Sequence, residues 1–183
     1  MLGRYDQIVP ITDKLSDVEE CVETDTFVLH RFNGDEVFAV ESATIKAFKE
    51  GGTVELSLYV STKPKPLQTL PDTASLKQRP HAEVDITLKS LIPSRLVGRR
   101  FSIPTAYSEE KEDHVACIYY CEHNDLNNNV VQFLEQQDSQ FLIHWTGTTT
   151  DVNCYDGSKP ETKVEIKAWF TFKEMHKWVR NSS

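Results

Sequence analysis

The sequence predicts a mainly β fold: an antiparallel two-sheet β-sandwich or an open barrel with one to three short helices. Apolar and polar residues alternate along several short segments, turns that contain glycine separate these segments, and few stretches show helical spacing. The chain has 183 residues, 39% of them hydrophobic and 26% charged, which is enough for a core that needs no disulfides. We therefore expect residues 1–183 to form a single β domain.

The first segment, residues 1–25, carries an acidic run in which Val18, Cys21 and Val22 have helical spacing. This spacing predicts a short helix from about Ser16. The first residues lack the basic start and the apolar block of a secretory signal, and no run reaches the roughly 18 apolar residues of a membrane-spanning helix. We therefore expect a cytoplasmic protein without a membrane segment.

Residues 26–40 predict a hairpin, because two alternating segments flank Asn33-Gly34 and both of these residues tolerate a positive φ. Arg31 and Glu36 then form a cross-strand pair of opposite charge. A turn centred on Asn33-Gly34 sets the register: Phe27 faces Val40, Leu29 faces Phe38 and Arg31 faces Glu36.

Residues 42–50 suit either a short helix or a strand, and we favour the strand. In a hairpin that turns at Gly51-Gly52, its apolar residues face those of the alternating segment 53–60. The pairs are Ala43 with Val60, Ile45 with Leu58, and Ala47 with Leu56.

Residues 61–81 contain four prolines, and neither a helix nor a central strand accommodates proline at this density. Because short strands lie on both sides, we expect a Pro-rich crossover loop between two sheets of one domain. We prefer this interpretation to a linker between two domains.

The next segments mix strand and helix patterns. Residues 82–92 and 96–103 predict two further strands. Residues 114–123 are apolar on both faces, which predicts a central strand covered on both sides. Residues 130–137 and 173–180 show helical spacing and predict two short helices.

Residues 141–172 predict one long hairpin closed by Asp156-Gly157. One face of this ribbon is apolar, and a slip by one residue would bury Thr146 and Lys167. The predicted register pairs Phe141 with Phe172, Ile143 with Phe170, Trp145 with Ala168 and Gly147 with Ile166.

The opposite face of this hairpin is the predicted binding face, formed by His144, Trp169, Thr146 and Thr148. In the predicted register His144 lies beside Trp169, with the threonine hydroxyls next to them. An exposed indole among hydroxyls is suited to stacking on a sugar ring and hydrogen bonding around it. The competing interpretation is that a helix or a partner subunit covers Trp169.

The histidines and cysteines of residues 114–123 are capable of binding zinc. Cys117, Cys121 and His123 face the same way on an extended strand, and Cys154 or His144 would complete the set. Because cysteine is among the most buried residue types and zinc sites show tighter ligand pairs, we interpret these cysteines as core packing. The sequence contains neither a glycine-rich phosphate loop nor a common hydrolase signature. We therefore predict no metal, no cofactor and no catalytic residue.

The net charge of −8 disfavours a nucleic-acid partner, since such proteins usually present a broad basic surface. Basic residues concentrate between residues 61 and 100 and are candidates for an anion site. In most proteins such residues pair with acids instead, and we favour that interpretation. The candidates are Lys63, Lys65, Arg95, Arg99 and Arg100.

Together these patterns favour a non-catalytic, intracellular interaction or small-ligand-binding β domain. Its partner is then a protein, a small molecule or, in a homodimer, a second copy of the chain. One alternative is a hydrolase that uses a histidine or a cysteine–histidine site. The other is a carbohydrate-binding module on the Trp169 face.

Overall fold

The computed structural model describes residues 24–50, 52–72, 79–152 and 156–177. Within these ranges the chain forms β-strands and one short 3₁₀ turn, and no α-helix. The strands are β1 (Thr26–Arg31), β2 (Gly34–Glu50), β3 (Thr53–Thr62), β4 (His81–Leu88), β5 (Arg100–Ile103), β6 (Tyr107–Ser108), β7 (Asp113–His114), β8 (Ala116–Tyr120), β9 (Glu122–Asp125), β10 (Asn127–Gln137), β11 (Gln140–Thr149) and β12 (Thr162–Lys177), and the 3₁₀ turn spans Pro93–Arg95.

Ten of these strands form one open sheet in the order β5-β10-β11-β12-β1-β2-β3-β4-β8-β9, and β6 and β7 form a separate two-stranded sheet. Successive strands of this order are antiparallel, and β12 additionally runs parallel to part of β2. The mainly β prediction is confirmed. The described strands form one large sheet, whereas a sandwich would have two large sheets that face each other.

The core lies on one face of the large sheet. Along β3, the residues Val54, Leu56, Leu58 and Val60 are at most 7% exposed, and those between them are half-buried. The same alternation runs along β11 and β12, where Trp145 and Phe170 are fully buried. Because a single sheet must curve to cover one face with its own side chains, β8 and β10 contact each other although they lie near opposite edges.

Both long hairpins have a register two residues away from the predicted one. Phe27 pairs with Phe38, and Phe141 pairs with Phe170. The first hairpin turns at Phe32-Asn33, so that Gly34 already belongs to β2. In the second hairpin β11 ends at Thr149 and β12 begins at Thr162, so the connection is longer than a two-residue turn. Because side chains alternate with a period of two, a shift by two residues keeps every side chain on its predicted face.

The hairpin of β2 and β3 has the predicted register. Ala43 pairs with Val60, Ile45 with Leu58 and Ala47 with Leu56. The choice of a strand over a helix for residues 42–50 is therefore confirmed. Apolar residues on both partners made this pairing readable from the sequence.

Two predicted helices are strands instead. Residues 130–137 belong to β10, which is hydrogen-bonded between β5 and β11, and Val131 and Phe133 are fully buried there. Residues 173–177 continue β12. The helix predicted from Ser16 and residues 178–180 lie outside the described residues. Pairing with strands that are distant in sequence outweighed the local helical spacing in both described cases.

Two further predictions need correction. Strand β8 is the second strand from one edge of the sheet and is covered on one face only, since Tyr119 is 39% exposed. The proline-rich segment 61–81 joins β3 to β4, which are adjacent antiparallel strands of one sheet. The segment therefore does not connect two different sheets.

Arg31 is the centre of a buried ionic network. Arg31 donates five hydrogen bonds, to Glu36 at 2.9 Å, to both oxygens of Asp72 at 3.1 Å, and to Asp151 at 3.0 and 3.2 Å. The side chains of Arg31, Glu36 and Asp151 are fully buried, and Tyr120 donates its hydroxyl to Glu36. Burial lowers the pKa of Arg31, but the hydrogen bonds to these carboxylates outweigh it and raise the pKa above its usual value.

Candidate ligand-binding site

Strand β12 pairs first with β1 and then with β2, and the point where it changes from one neighbour to the other is a fork in the large sheet. The candidate site lies at this fork. The pairing of β12 with β1 reaches as far as Lys167, which lies opposite Thr26. From Thr171 onward β12 pairs instead with β2, beginning opposite Thr44. Trp169 therefore lies where β12 has left one neighbour and has not yet reached the next.

Asp25 satisfies the backbone at this fork. The Trp169 backbone N–H has no β1 residue opposite it and donates a hydrogen bond to Asp25 Oδ1 at 3.1 Å. The Asp25 carbonyl oxygen accepts a hydrogen bond from the Val40 N–H at 2.9 Å, and its φ of 62° turns the chain into β1. The pairing of β2 with β3 has a register shift between Val40 and Ser42, close to the residue that Asp25 contacts.

An open groove of about 810 Å³ lies over the fork on the outer face of the sheet. Trp169 is half-buried in its wall. The indole offers a flat apolar surface, and the surrounding side chains offer hydrogen-bond donors and acceptors. The groove therefore suits a small molecule with an apolar ring face and a polar edge. The polar side chains used below are Lys63, Gln137, Gln140, Thr171 and Lys173.

The groove holds two lysines and two acids. Glu41 is paired with Arg79 at 2.8 Å, whereas Asp25 keeps its charge while one of its oxygens accepts the Trp169 N–H. Lys63 and Lys173 are exposed, and no ion pair among the described residues includes either of them. The groove thus presents ammonium groups in a protein whose net charge is −8.

Of the predicted binding residues, Trp169 lines this groove, whereas His144, Thr146 and Thr148 do not. The predicted pairing of His144 with Trp169 is wrong, because Lys167 lies opposite His144 and Leu142 lies opposite Trp169. The three other residues lie on the same outer face, further along β11. There Thr148 Oγ1 accepts a hydrogen bond from Asn128 at 3.0 Å.

His144 belongs to a cluster centred on Glu165. His144 Nε2 donates to one Glu165 oxygen at 2.7 Å, and His30 Nε2 and Lys163 Nζ donate to the other at 3.1 and 3.0 Å. Burial raises the pKa of Glu165, but the hydrogen bonds from Lys163, His144 and His30 outweigh it and hold the pKa at about 2. In this arrangement Nε2 of each histidine is occupied as a donor and does not serve as a general base.

The cysteine–histidine segment is not arranged as a metal site or a nucleophile. The chain turns at Cys121 with a φ of 67°, so Cys117 and His123 lie on different strands. Among the described residues, no three histidine, cysteine or acidic side chains are placed to hold a metal ion. Burial and then the charges of Glu83 and Asp85 raise the pKa of Cys117 to about 11, which opposes formation of the thiolate. Cys154 lies outside the described residues.

A second open cleft, of about 790 Å³, contains a residue that the sequence did not single out. Asp85 lines this cleft together with Tyr107, Lys111 and Asp125. Burial and then the charge of Glu55 raise the pKa of Asp85 to about 6. A carboxyl group that titrates near neutrality in a cleft is a recognised feature of functional sites. In the sequence Asp85 occupies an ordinary polar position of an alternating strand, so no local signal marks it.

The basic residues between 61 and 100 do not form one site. Lys63 lines the Trp169 groove, whereas Arg95 and Arg99 line a separate pocket of about 400 Å³ near the 3₁₀ turn. Gln137, Gln140 and Lys173 are among the groove residues that the sequence did not single out. They come from β10, β11 and β12, and only the topology brings them together.

None of the described residues forms a helix that is both long and apolar enough to cross a bilayer.

The fold and the groove define a β domain whose outer face holds a tryptophan-lined groove. No family model, no curated protein and no solved structure matches this chain.

Proposed function

We propose that this chain is a non-catalytic, open-barrel β domain that binds a saccharide in the Trp169 groove. The observation that carries the proposal is the position of Trp169, half-buried in a groove of about 810 Å³ and surrounded by amide, hydroxyl and ammonium groups. A sugar ring has an apolar face and a rim of hydroxyls, so both parts of the groove have a matching surface.

The groove is built on rigid elements, which favours binding without a large rearrangement. Trp169 lies on β12 between two paired stretches of that strand, and Asp25 holds its backbone. Gln140 Nε2 donates to Thr171 Oγ1 at 3.3 Å, which fixes one side of the groove. A preformed site of this kind loses little conformational entropy when a ligand binds.

Binding without catalysis is supported by the surroundings of the histidine and cysteine residues that a hydrolase site would use. The Nε2 atoms of His144 and His30 both donate to Glu165, and burial raises the pKa of the Cys117 thiol to about 11. A hydrolase with a histidine or cysteine–histidine site needs a free base or an accessible thiolate. The described positions of these residues provide neither.

The test is a titration of the purified chain with a panel of mono- and oligosaccharides, followed by calorimetry and by the melting temperature. A ligand that binds only the folded state raises the melting temperature by mass action. Trp169→Ala should abolish the shift, and Trp169→Tyr should restore part of it because an aromatic ring is retained. Tyr107→Ala is the matched control, since Tyr107 is an exposed aromatic residue, 44% exposed, outside the groove.

Two results would overturn the proposal. One is the absence of any saccharide that shifts the melting temperature of the wild type. The other is binding that Trp169→Ala leaves intact. Loss of binding in His144→Ala with retention in Trp169→Ala would move the site to the other part of the outer face.

A further inference from the structure

The Trp169 groove continues into a second pocket. The second pocket has a volume of about 390 Å³ and shares Ser42, Thr44 and Lys173 with the first. Lys46, Ser57, Tyr59 and Glu83 also line it, so this pocket holds one acid beside its two lysines. The outer face therefore offers one elongated depression instead of an isolated pocket.

The two aromatic rings lie at different places along this depression. Thr171, Thr44 and Tyr59 form one row across β12, β2 and β3, and Trp169 lies two residues before Thr171. Strand spacing and rise place the Cα atoms of Trp169 and Tyr59 roughly 12 Å apart. This separation exceeds the length of a single sugar ring. The Tyr59 ring packs beside His81 with a centroid distance of 5.8 Å, which fixes its position.

The next row of the sheet places two like charges opposite each other. Lys173 on β12 is the direct neighbour of Lys46 on β2, and both side chains are exposed on the same face. Directly opposed like charges destabilise a sheet. No ion pair among the described residues includes either lysine. An anion bound between them would remove this repulsion.

We propose that the ligand is an anionic oligosaccharide of at least two sugar rings that carries carboxylate or sulfate groups. One ring stacks on Trp169 and another on Tyr59, while Lys46 and Lys173 hold an anionic group between the two strands. Lys63 adds a third ammonium group at the Trp169 end. This inference rests on the proposed function, because it assigns the ligand class of the same groove.

The test compares three tetrasaccharides: tetragalacturonate, which carries carboxylates, sulfated maltotetraose, and neutral maltotetraose. At low salt, either anionic ligand should bind the wild type at least about tenfold more tightly than the neutral one, and high salt should reduce this advantage. The ligand that shows the larger advantage identifies the anionic group. A Tyr59→Ala variant should weaken tetrasaccharide binding and leave monosaccharide binding unchanged.

The double variant Lys46→Gln/Lys173→Gln should weaken the binding of the anionic tetrasaccharides much more than that of neutral maltotetraose, so that most of the anionic advantage is lost. Its melting temperature should equal or exceed that of the wild type, because the repulsion between the two lysines is gone. Lys89→Gln is the matched control, since Lys89 is an exposed lysine that lines neither pocket.

The possible failures are distinguishable. Equal affinity for neutral and anionic tetrasaccharides, lost in Trp169→Ala, would overturn the anionic assignment and leave the proposed function standing. An anionic advantage that Lys89→Gln reduces as much as the double variant would also overturn it. Absence of binding by every saccharide would overturn the proposed function itself.

Discussion

Replacing Arg31 should destabilise the protein more than a substitution on the surface, because it leaves the buried carboxylates of Glu36 and Asp151 without a cation. The side chains of Arg31, Glu36 and Asp151 are 0% exposed, whereas that of Asp72 is 44% exposed. In Arg31→Met, Glu36 and Asp151 lose their cation and remain away from water. Breaking a buried ion pair by removing one partner typically costs about 3–5 kcal/mol. Because a domain of this size is stable by only about 5–15 kcal/mol, we expect the variant to be marginally folded.

The assay is equilibrium unfolding in urea, followed by tryptophan fluorescence, since Trp145 is fully buried and becomes hydrated on unfolding. The matched control is Arg79→Met, which removes a surface pair with Glu41 whose side chains are 53% and 45% exposed. That change should cost about 0–1 kcal/mol. The triple variant Arg31→Met/Glu36→Gln/Asp151→Asn should recover part of the loss, because no charge is left in the core. A cost for Arg31→Met of less than about 1 kcal/mol would refute the reasoning.

Three further predictions concern stability, each checked by unfolding of the variant beside the wild type. Burial and then the charge of Glu55 raise the pKa of Asp85 to about 6, so its proton stabilises the fold below about pH 4, and this stabilisation is lost as the pH rises through 6. Urea unfolding at about pH 8 should therefore show that Asp85→Asn is more stable than the wild type by up to about 3 kcal/mol. If the stability of Asp85→Asn varied with pH as that of the wild type does, this prediction would be contradicted. Glu165, with a pKa of about 2, stabilises the fold above about pH 4.5 and loses this effect as the pH falls toward 2. Glu165→Gln should therefore lower the free energy of unfolding by about 3 kcal/mol at neutral pH and by far less at acidic pH. A loss of stability that did not change with pH would argue against the hydrogen-bonded carboxylate. Gly147→Ala would place a Cβ 2.8 Å from Asn129 Oδ1, which already accepts a hydrogen bond from the buried Trp145 indole. The resulting overpacking should lower the stability measured in a thermal melt by about 1–3 kcal/mol. An unchanged stability would show that the surrounding side chains can move to make room.

The sequence determined which side chains face the core better than it determined which residues pair. Phe141, Ile143 and Trp145 are buried as predicted, although each pairs two residues away from the predicted partner. Alternation has a period of two, so it fixes the face and leaves shifts by two residues open. Only the turn decides between such registers, and the Asp156-Gly157 pair belongs to a loop longer than the two-residue turn that it indicated.

The helix prediction for residues 130–137 failed for a related reason. The spacing of Val130, Phe133 and Leu134 suits a helix face, and nothing within this segment argues against it. What decides its structure is hydrogen bonding to β5 on one side and β11 on the other. Such non-local pairing routinely outweighs the local conformational preference of a segment, and it cannot be inferred from the sequence of that segment alone.

The site was predictable only in part, and the fork in the sheet explains why. Residue type and alternation identified Trp169 as an outward aromatic residue. The parallel pairing of Thr171 with Thr44 joins segments more than a hundred residues apart, and no local pattern announces it. The same fork leaves the Trp169 N–H without a strand partner, which Asp25 supplies, and it opens the space beside the indole. The groove is thus a direct consequence of one strand having two successive neighbours. A change that lengthened β1 by two residues to pair with Trp169 would fill the gap and remove the groove, while leaving the core face of β12 unchanged.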